Sequence, residues 1–506
     1  MASARRVLGA LLVISFVATT GVHQIAPASA HPGPLPWKRE VPMVVDTSTT
    51  VDTVKPGLVG VNLSGQPAHA EDLEALGPRF VRLDAGIHEL WDCDGGLDPA
   101  GLDELQQRLD EIEALGAEPF VILAYMPECL AAPGGLGLFG KSRRPPADPA
   151  AWQAAVEDVL GALVTDRIAE GKQPALWFET WNEPDFLLFY DGTPQQFADQ
   201  IFAPQLRAAA AVEATAGVDL RVGGCACVME NRAWVDRLAR TAESEGTELG
   251  FVSWHFYANL PFLGPDGQEP LVGPEFFPIW RIVGRKNPFA DPRNYRFQAE
   301  RMGKLYPNTP LVVSEWNLVS GGFDRRMDTH AGAAFQAAAL IAMQAGGLDA
   351  STVFRARDRH IRSIWGTPLP EWHGEWGLVT RDGAKKPAWH AQRLWGELAS
   401  ARYDVRGDVA GKSGVSVVAS GDGMRHTLLA ASFTAMPWAH AHRLDVRFEG
   451  LDPGDYDVAI TRIDASHSPE AGPHETVTLA VGSEGTGRLG VSLPAQSVVF
   501  LEIVPF

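Results

Sequence analysis

The sequence predicts an α/β protein: a (β/α)8 TIM barrel followed by a C-terminal antiparallel β-sandwich. Three observations carry that prediction. Between Leu58 and Phe354, eight short β-favouring runs alternate with helical stripes, the signature of a parallel sheet with crossover helices. From about Ala401 only short alternating strands remain, separated by Gly, Asp or Pro, as in an antiparallel sandwich. The 506 residues suit one barrel, commonly about 250 residues, and one smaller domain.

The elements follow in order. Arg5 and Arg6 precede an apolar run from Val7 to Val17, and Ala28-Ser29-Ala30 forms a small-residue cleavage site. The run falls short of the ~20 residues a membrane helix needs. Residues 1–30 are therefore expected to be a signal peptide cleaved after Ala30, with the protein secreted; a membrane anchor is the alternative. No later segment resembles a membrane span. Residues 31–55 read as a leader and N-terminal strands, and Val41–Val54 is a candidate to join the sandwich. The barrel is expected over 56–400, with strands Leu58–Asn62, Phe80–Leu83, Phe120–Tyr125, Leu176–Thr180, Leu220–Cys225, Phe251–His255, Leu311–Glu315 and Ser351–Phe354. Leu102, Leu105, Leu109, Ile112 and Leu115 form one helical stripe. Ala331–Ala345 is an Ala-rich helix, and Pro387–Leu398 supplies the last one. The sandwich, 401–506, reads as Val415–Ser420, His426–Ser432, Arg443–Phe448, Asp455–Ile463, Thr476–Val481 and Ser497–Val504, with His440 and His442 at its surface.

Composition narrows the function. A formal charge of −19 argues against nucleic acid, whose phosphates need clustered Lys and Arg. No HExxH or paired CxxC pattern is present, so neither a metal nor another cofactor is implied. Fifteen Trp residues would suit stacking on sugar rings, and core packing explains them equally well. Oligomeric state is left open. Of the four cysteines, Cys93 and Cys129 are the preferred disulfide, because each lies in a loop after a predicted strand and those loops could meet. Cys225 and Cys227, two apart in a predicted strand, are awkward to bridge.

Two carboxylates stand where a barrel keeps its chemistry, at the C-terminal ends of strands. Glu183 follows the fourth predicted strand in WFETWNEPD, and Glu315 ends the seventh in LVVSEWN. Hydrolysis of a glycosidic bond needs a proton for the leaving oxygen and a partner for the oxocarbenium-like carbon, and two carboxyl groups supply both. Arg82 and Tyr257 are candidates to keep the second one ionised, with a core ion pair as the bland alternative for Arg82. Asn182 is placed to meet a sugar 2-hydroxyl.

WFETWNEPD resembles the signature of glycoside hydrolase family 39, the clan A family that includes β-xylosidases and α-L-iduronidase. The likeness rests on Phe178-Glu179 and Trp181-Asn182-Glu183-Pro184-Asp185; Leu176 stands where the first Trp is expected. It implies Glu183 as acid/base and Asn182 as its sugar-binding neighbour. Ser314-Glu315-Trp316-Asn317 is similar to the nucleophile strand, implying Glu315 as nucleophile with Trp316 in the substrate pocket. Ser253-Trp254-His255-Phe256-Tyr257 resembles the sixth-strand motif, implying His255 and Tyr257 as pocket residues. The eighth strand departs from the family's Tyr-Trp-Thr-Phe-Ser-Asp: Thr352-Val353-Phe354-Arg355-Ala356-Arg357-Asp358 lacks the Trp and has two Arg. Arg355 and Arg357 could grip a uronate carboxylate or pair with acids such as Asp358.

The resemblance thus implies a retaining, exo-acting, β-xylosidase-like glycosidase on plant or microbial polysaccharide fragments, with carbohydrate as its partner. An endo-acting clan A glycanase, a uronide, arabinoside or galactoside specificity, and a non-catalytic carbohydrate-binding protein are the alternatives. Long loops at Leu130–Asp148 and Ala258–Phe297 favour a pocket over an open cleft.

Overall fold

A computed structural model describes residues 39–67, 69–134, 140–172, 176–259, 290–361, 367–411, 414–435 and 439–506. The expected signal peptide and its cleavage site lie outside the described residues. So does most of the loop after the sixth barrel strand, with Phe276, Phe277 and Trp280.

The chain begins with β1 (Arg39–Thr53), then β2 (Gly60–Asn62) and β3 (Phe80–Asp84). A small hairpin, β4 (Trp91–Asp92) and β5 (Gly96–Leu97), precedes β6 (Glu118–Ile122), β7 (Trp177–Glu179), β8 (Arg221–Cys227), β9 (Val252–Tyr257), β10 (Leu311–Asn317) and β11 (Ala350–Phe354). The eight strands from β2 to β11, without the hairpin, close into a parallel barrel in sequence order, β11 pairing back onto β2. These are the eight strands expected from the sequence, with ends shifted by a few residues.

The helices between them form for local reasons. Pro99–Ala114 buries Leu102, Leu105, Leu109 and Ile112, the predicted stripe, and Asp98 caps it by accepting from the Ala100 backbone N–H. Asp148 does the same for Pro149–Ala169. The Ala-rich helix His330–Gly346 is buried on nearly every face, because it lies between the barrel and the second domain. Its Phe335 ring packs 6.3 Å from Trp316 of the barrel and 5.4 Å from Phe433 of the second domain. Small side chains let both layers approach it.

The barrel interior is layered. Phe80, Phe120, Trp177, Phe251, Val312 and Ala350 form an apolar floor. Gly223 makes room there, since a Cβ would sit 2.5 Å from the Phe251 carbonyl oxygen. Alternation along the strands places Arg82 and Glu179 two residues above Phe80 and Trp177, so the charged layer sits directly over the floor.

β12 (Ala401–Gly407), β13 (Val415–Gly421), β14 (His426–Ser432), β15 (His442–Glu449), β16 (Gly454–Ile463), β17 (Glu475–Val481), β18 (Thr486–Leu493) and β19 (Ser497–Pro505) make the second sheet. It is mostly antiparallel, and β1 turns it into a closed nine-stranded ring by pairing antiparallel to β12 and parallel to β15. Closure removes the exposed edges an open sandwich would leave. β12 and β18 were not evident as strands in the sequence. His442 corrects another expectation: it shares the inner row of β15 with Leu444, Val446 and Phe448 and is buried, whereas His440 is exposed.

Cys93 and Cys129 are bridged, with Cα atoms 6.2 Å apart, tying the β4–β5 hairpin to the loop after β6. Cys225 and Cys227 are bridged as well, against expectation. The pairing of β8 with β9 slips by one residue between them. Ala226 takes up the slack at φ 50°, and that bulge brings the two Cα atoms to 5.1 Å.

Candidate active site

The chain leaves β7 at Glu179 and turns sharply through Thr180–Asp185. Glu183 sits in that turn at φ 47°, a left-handed conformation costing roughly 1–2 kcal/mol for a residue with a side chain. Backbone and side-chain bonds hold it there. The Glu183 N–H donates to the Ala226 carbonyl at 2.9 Å. The Asp185 carboxylate accepts from the Val228 N–H and from Asn231 Nδ2, both at 3.0 Å. Trp181 is fully buried, its Nε1 donating to the Phe189 carbonyl at 2.9 Å.

Glu315 reaches the same place by a different device. The register of β10 shifts against both neighbours after Val313. Simple alternation from Val312 on the floor would turn Ser314 inward. The shift turns Glu315 inward instead and sends Trp316 outward. Trp316 therefore corrects the expectation that it lines the substrate pocket: it is fully buried, bonds Ser351 Oγ through Nε1 at 3.1 Å, and packs on Tyr295 and Phe335 of the surrounding helices.

Arg82 is the hub between the two carboxylates. Its Nε donates to Glu179 Oε2 at 2.7 Å, its Nη1 to Glu315 Oε2 at 3.3 Å and its Nη2 to Asn182 Oδ1 at 2.9 Å. Both sequence readings of Arg82 hold at once, a core ion pair with Glu179 and a contact to the site. Because Asn182 accepts through Oδ1, its Nδ2 hydrogens remain as donors. Tyr257 donates its hydroxyl to Glu315 Oε1 at 2.5 Å.

His255 bridges the carboxyl groups, with Nδ1 2.9 Å from Glu183 Oε1 and 3.7 Å from Glu315 Oε2. Burial and the neighbouring Arg82 charge hold its pKa well below the ordinary range, so the ring is neutral. Its Nε2 lies 3.3 Å from Arg82 Nη2. A guanidinium can only donate, so Nε2 is the acceptor and Nδ1 carries the hydrogen. His255 thus donates to Glu183 Oε1 and leaves Oε2 to hold a carboxyl proton.

Electrostatics divide the pair. Burial first, then the Glu315 and Asp185 charges, push Glu183 well above the usual carboxyl range. Burial also raises Glu315, while Arg82 and the Tyr257 hydroxyl pull it back. Of the two, Glu183 keeps a proton to higher pH and Glu315 ionises first. One ring nitrogen or carboxylate oxygen each from Glu183, His255 and Glu315 lie within 4.8 Å of one another. A cation could bridge them, but the Arg82 guanidinium already supplies positive charge at that point.

Arg355 lies just past β11. It is 2% exposed, and its Nη2 donates to the Leu63 and Ser64 carbonyls at 3.4 and 3.3 Å. Its Nε has no partner among the described residues, and burial pushes its pKa down to about 10. Arg357 instead pairs with Asp72 through Nε at 2.7 Å, and Asp358 pairs with Lys386. Sequence reasoning missed Asn62, which is 1% exposed with both side-chain polar atoms unpartnered among the described residues and is paired in register with Arg82 and Phe354. Its place at a strand's C-terminal end was the available signal. It also missed the Phe354 ring, 6.4 Å from Tyr257, and Trp376, 5.3 Å from Phe354. Trp376 arrives on a loop with no local pattern to mark it.

With this geometry in hand, comparisons with known proteins are specific. The family model described as Glycosyl hydrolases family 39 matches residues 101–478. A beta-xylosidase from Caldicellulosiruptor saccharolyticus is 24% identical over 339 residues, 66% of this chain and 64% of that relative. A beta-xylosidase from Geobacillus stearothermophilus is 24% identical over 344 residues, 64% of this chain and 63% of the relative. The chain therefore spans just under two thirds of the length of these curated relatives. Among solved structures, the GH39 enzyme from Xanthomonas axonopodis pv. citri superposes with a TM-score of 0.67 at 21% identity, covering 95% of this chain and 100% of that one. A monomeric beta-xylosidase from Caulobacter crescentus gives 0.67 at 20%, covering 92% and 100%. At such identities the structural likeness establishes the fold.

Proposed function

The chain belongs to glycosyl hydrolases family 39, and from that premise we propose that it is a retaining glycoside hydrolase working by double displacement, with Glu183 as acid/base and Glu315 as nucleophile. The observation that carries this reading is the approach of the two carboxyl groups, an oxygen of each lying within 4.8 Å of the other. Retaining enzymes hold their carboxyls about 5–5.5 Å apart, while inverting ones leave about 6.5–9.5 Å for a water. In the first step Glu183, protonated on Oε2, gives its proton to the leaving oxygen as Glu315 closes on the anomeric carbon. Arg82 and Tyr257 stabilise the Glu315 carboxylate until the bond forms, and Asn182 Nδ2 is free to donate to the 2-hydroxyl. Glu183, now ionised, then takes a proton from the water that releases the sugar.

Three of the proteins named above are beta-xylosidases, which makes β-xylosides the first substrates to try. A second reading, a uronide, is favoured by one observation: Arg355 is a buried guanidinium with no carboxylate partner among the described residues. An unpaired buried charge is costly, and a sugar carboxylate would complete it. A panel of aryl β-xylosides, arabinosides, galactosides and uronides separates these readings. For the best substrate, proton NMR of the first product should show the anomeric configuration of the starting glycoside; an inverted first product would refute double displacement.

If the uronide is preferred, Arg355→Leu should lower its kcat/KM by about thirty- to a hundredfold, the value of a charge-assisted hydrogen bond. The loss on an aryl xyloside should be much smaller. Equal losses on both would remove the carboxylate from Arg355.

A further inference from the structure

We propose that the Cys225–Cys227 disulfide is a positioning element for Glu183, a role that rests on the acid/base reading above. Neither sulfur has another evident task. Both cysteines are fully buried, and they close a covalent ring around Ala226, the single residue that bulges from β8. Ala226 is not a surface turn residue. It is fully buried, held at φ 50°, and each of its backbone polar groups bonds a different segment of the site. Its N–H donates to Ser253 Oγ of β9 at 3.0 Å, two positions before His255. Its carbonyl accepts the Glu183 N–H at 2.9 Å.

Glu183 is itself left-handed, so its conformation depends on what grips it from outside. The grip comes from one short stretch of chain: the Ala226 carbonyl takes Glu183, and the Val228 N–H and Asn231 side chain take Asp185. Without a cross-link, a non-glycine residue at positive φ would relax and carry its carbonyl away from Glu183. With residues 225 and 227 joined, that rotation is blocked. The disulfide acts on the reaction through the aim of the Glu183 carboxyl against His255 Nδ1 and the leaving oxygen. Cys93–Cys129 joins the β4–β5 hairpin to the loop after β6 and supplies none of the hydrogen bonds described above for Glu183, Asp185 and Ala226, which makes it the internal control.

The test uses protein produced in an oxidising compartment. Denatured and unreduced, it should show no titratable thiol, and after reduction four; two free thiols that map to Cys225 and Cys227 would overturn the proposal. The double variant Cys225→Ala, Cys227→Ala is then compared with Cys93→Ala, Cys129→Ala on paired aryl glycosides of good and poor leaving groups. The first should lose roughly tenfold or more in kcat on the poor leaving group, the scale of a small misplacement. Its loss on the good one should be small, its KM should stay within about twofold, and its alkaline pH limb should move to lower pH as the carboxyl gains solvent. The second should lose stability without changing the ratio between substrates.

A 225/227 variant with an unchanged leaving-group ratio and pH limb would overturn the proposal. So would a large loss of that ratio in Ser253→Ala, because hydrogen bonding rather than the cross-link would then be holding Ala226; this arm stands even if the cysteine variant does not fold. A failure of the acid/base reading is separately visible: Glu183→Ala would then lose equally on both leaving groups.

Discussion

Replacing Glu315 with Gln is expected to cut kcat by about ten-thousandfold or more, the scale of removing the attacking group from a covalent mechanism. The change is nearly isosteric. With its oxygen toward Arg82 Nη1, the amide can turn its NH2 to the Tyr257 hydroxyl, which can accept as well as donate. Arg82 keeps its principal partner Glu179, so the fold should survive and circular dichroism should show it. What disappears is the negative charge that bonds to the anomeric carbon and neutralises the oxocarbenium-like transition state. A 2-fluoro glycoside of the preferred sugar, with an activated leaving group, supplies the complementary measurement. It should inactivate the wild-type enzyme and leave a sugar on the peptide containing Glu315. A sugar on any other residue would overturn the assignment.

Glu183→Ala should behave differently, and the difference defines an acid. On a substrate with a poor leaving group the loss should be about a hundred- to ten-thousandfold, the usual value of general acid catalysis. On a dinitrophenyl glycoside the first step needs no proton and should persist. Turnover then stalls at the glycosyl-enzyme, and azide, a nucleophile that needs no base, should restore it as the glycosyl azide. The pH profile carries the same assignment. Glu183 works protonated in the first step, and burial with the Glu315 and Asp185 charges holds its pKa well above the usual range. Activity should therefore fall as pH rises through that raised value, placing the alkaline limb above ordinary carboxyl titration. In Glu183→Ala, that limb should vanish for the activated substrate. Its persistence would assign the ionisation to another group.

Much of the architecture was legible because its causes are local. Eight β-favouring runs and the stripe at Leu102, Leu105, Leu109 and Ile112 announce themselves by periodicity, and that periodicity requires only that one face of each element be buried. The WNEP turn and the SEWN strand end were equally readable as short contiguous motifs at strand ends. Placement was not. Trp316 adjoins Glu315 in sequence and stands on the opposite side of the barrel wall, since a register shift is a property of a strand's pairing with its neighbours and leaves no mark in its own residues. Phe354 and Trp376 were missed for the complementary reason, that nothing in their neighbourhoods along the chain signals what they meet across space, whereas Asn62 stood at a strand's C-terminal end and that signal went unused.

The sequence by itself determined the fold class, the order of the barrel strands and the two carboxylates brought to one end of them, because hydrophobic period and strand-end position are encoded within a few consecutive residues. Only the tertiary structure decided four further matters. β1 closes the second sheet into a ring. Arg82 divides its donors among Glu179, Asn182, His255 and Glu315. Cys225 and Cys227 meet across a bulge. Arg355 lies buried with its Nε unpartnered among the described residues. Each depends on register and burial, which arise when distant segments pack: except for the cysteine pair no short window of sequence contains both partners, and the bulge that joins that pair is set by the pairing of β8 with β9.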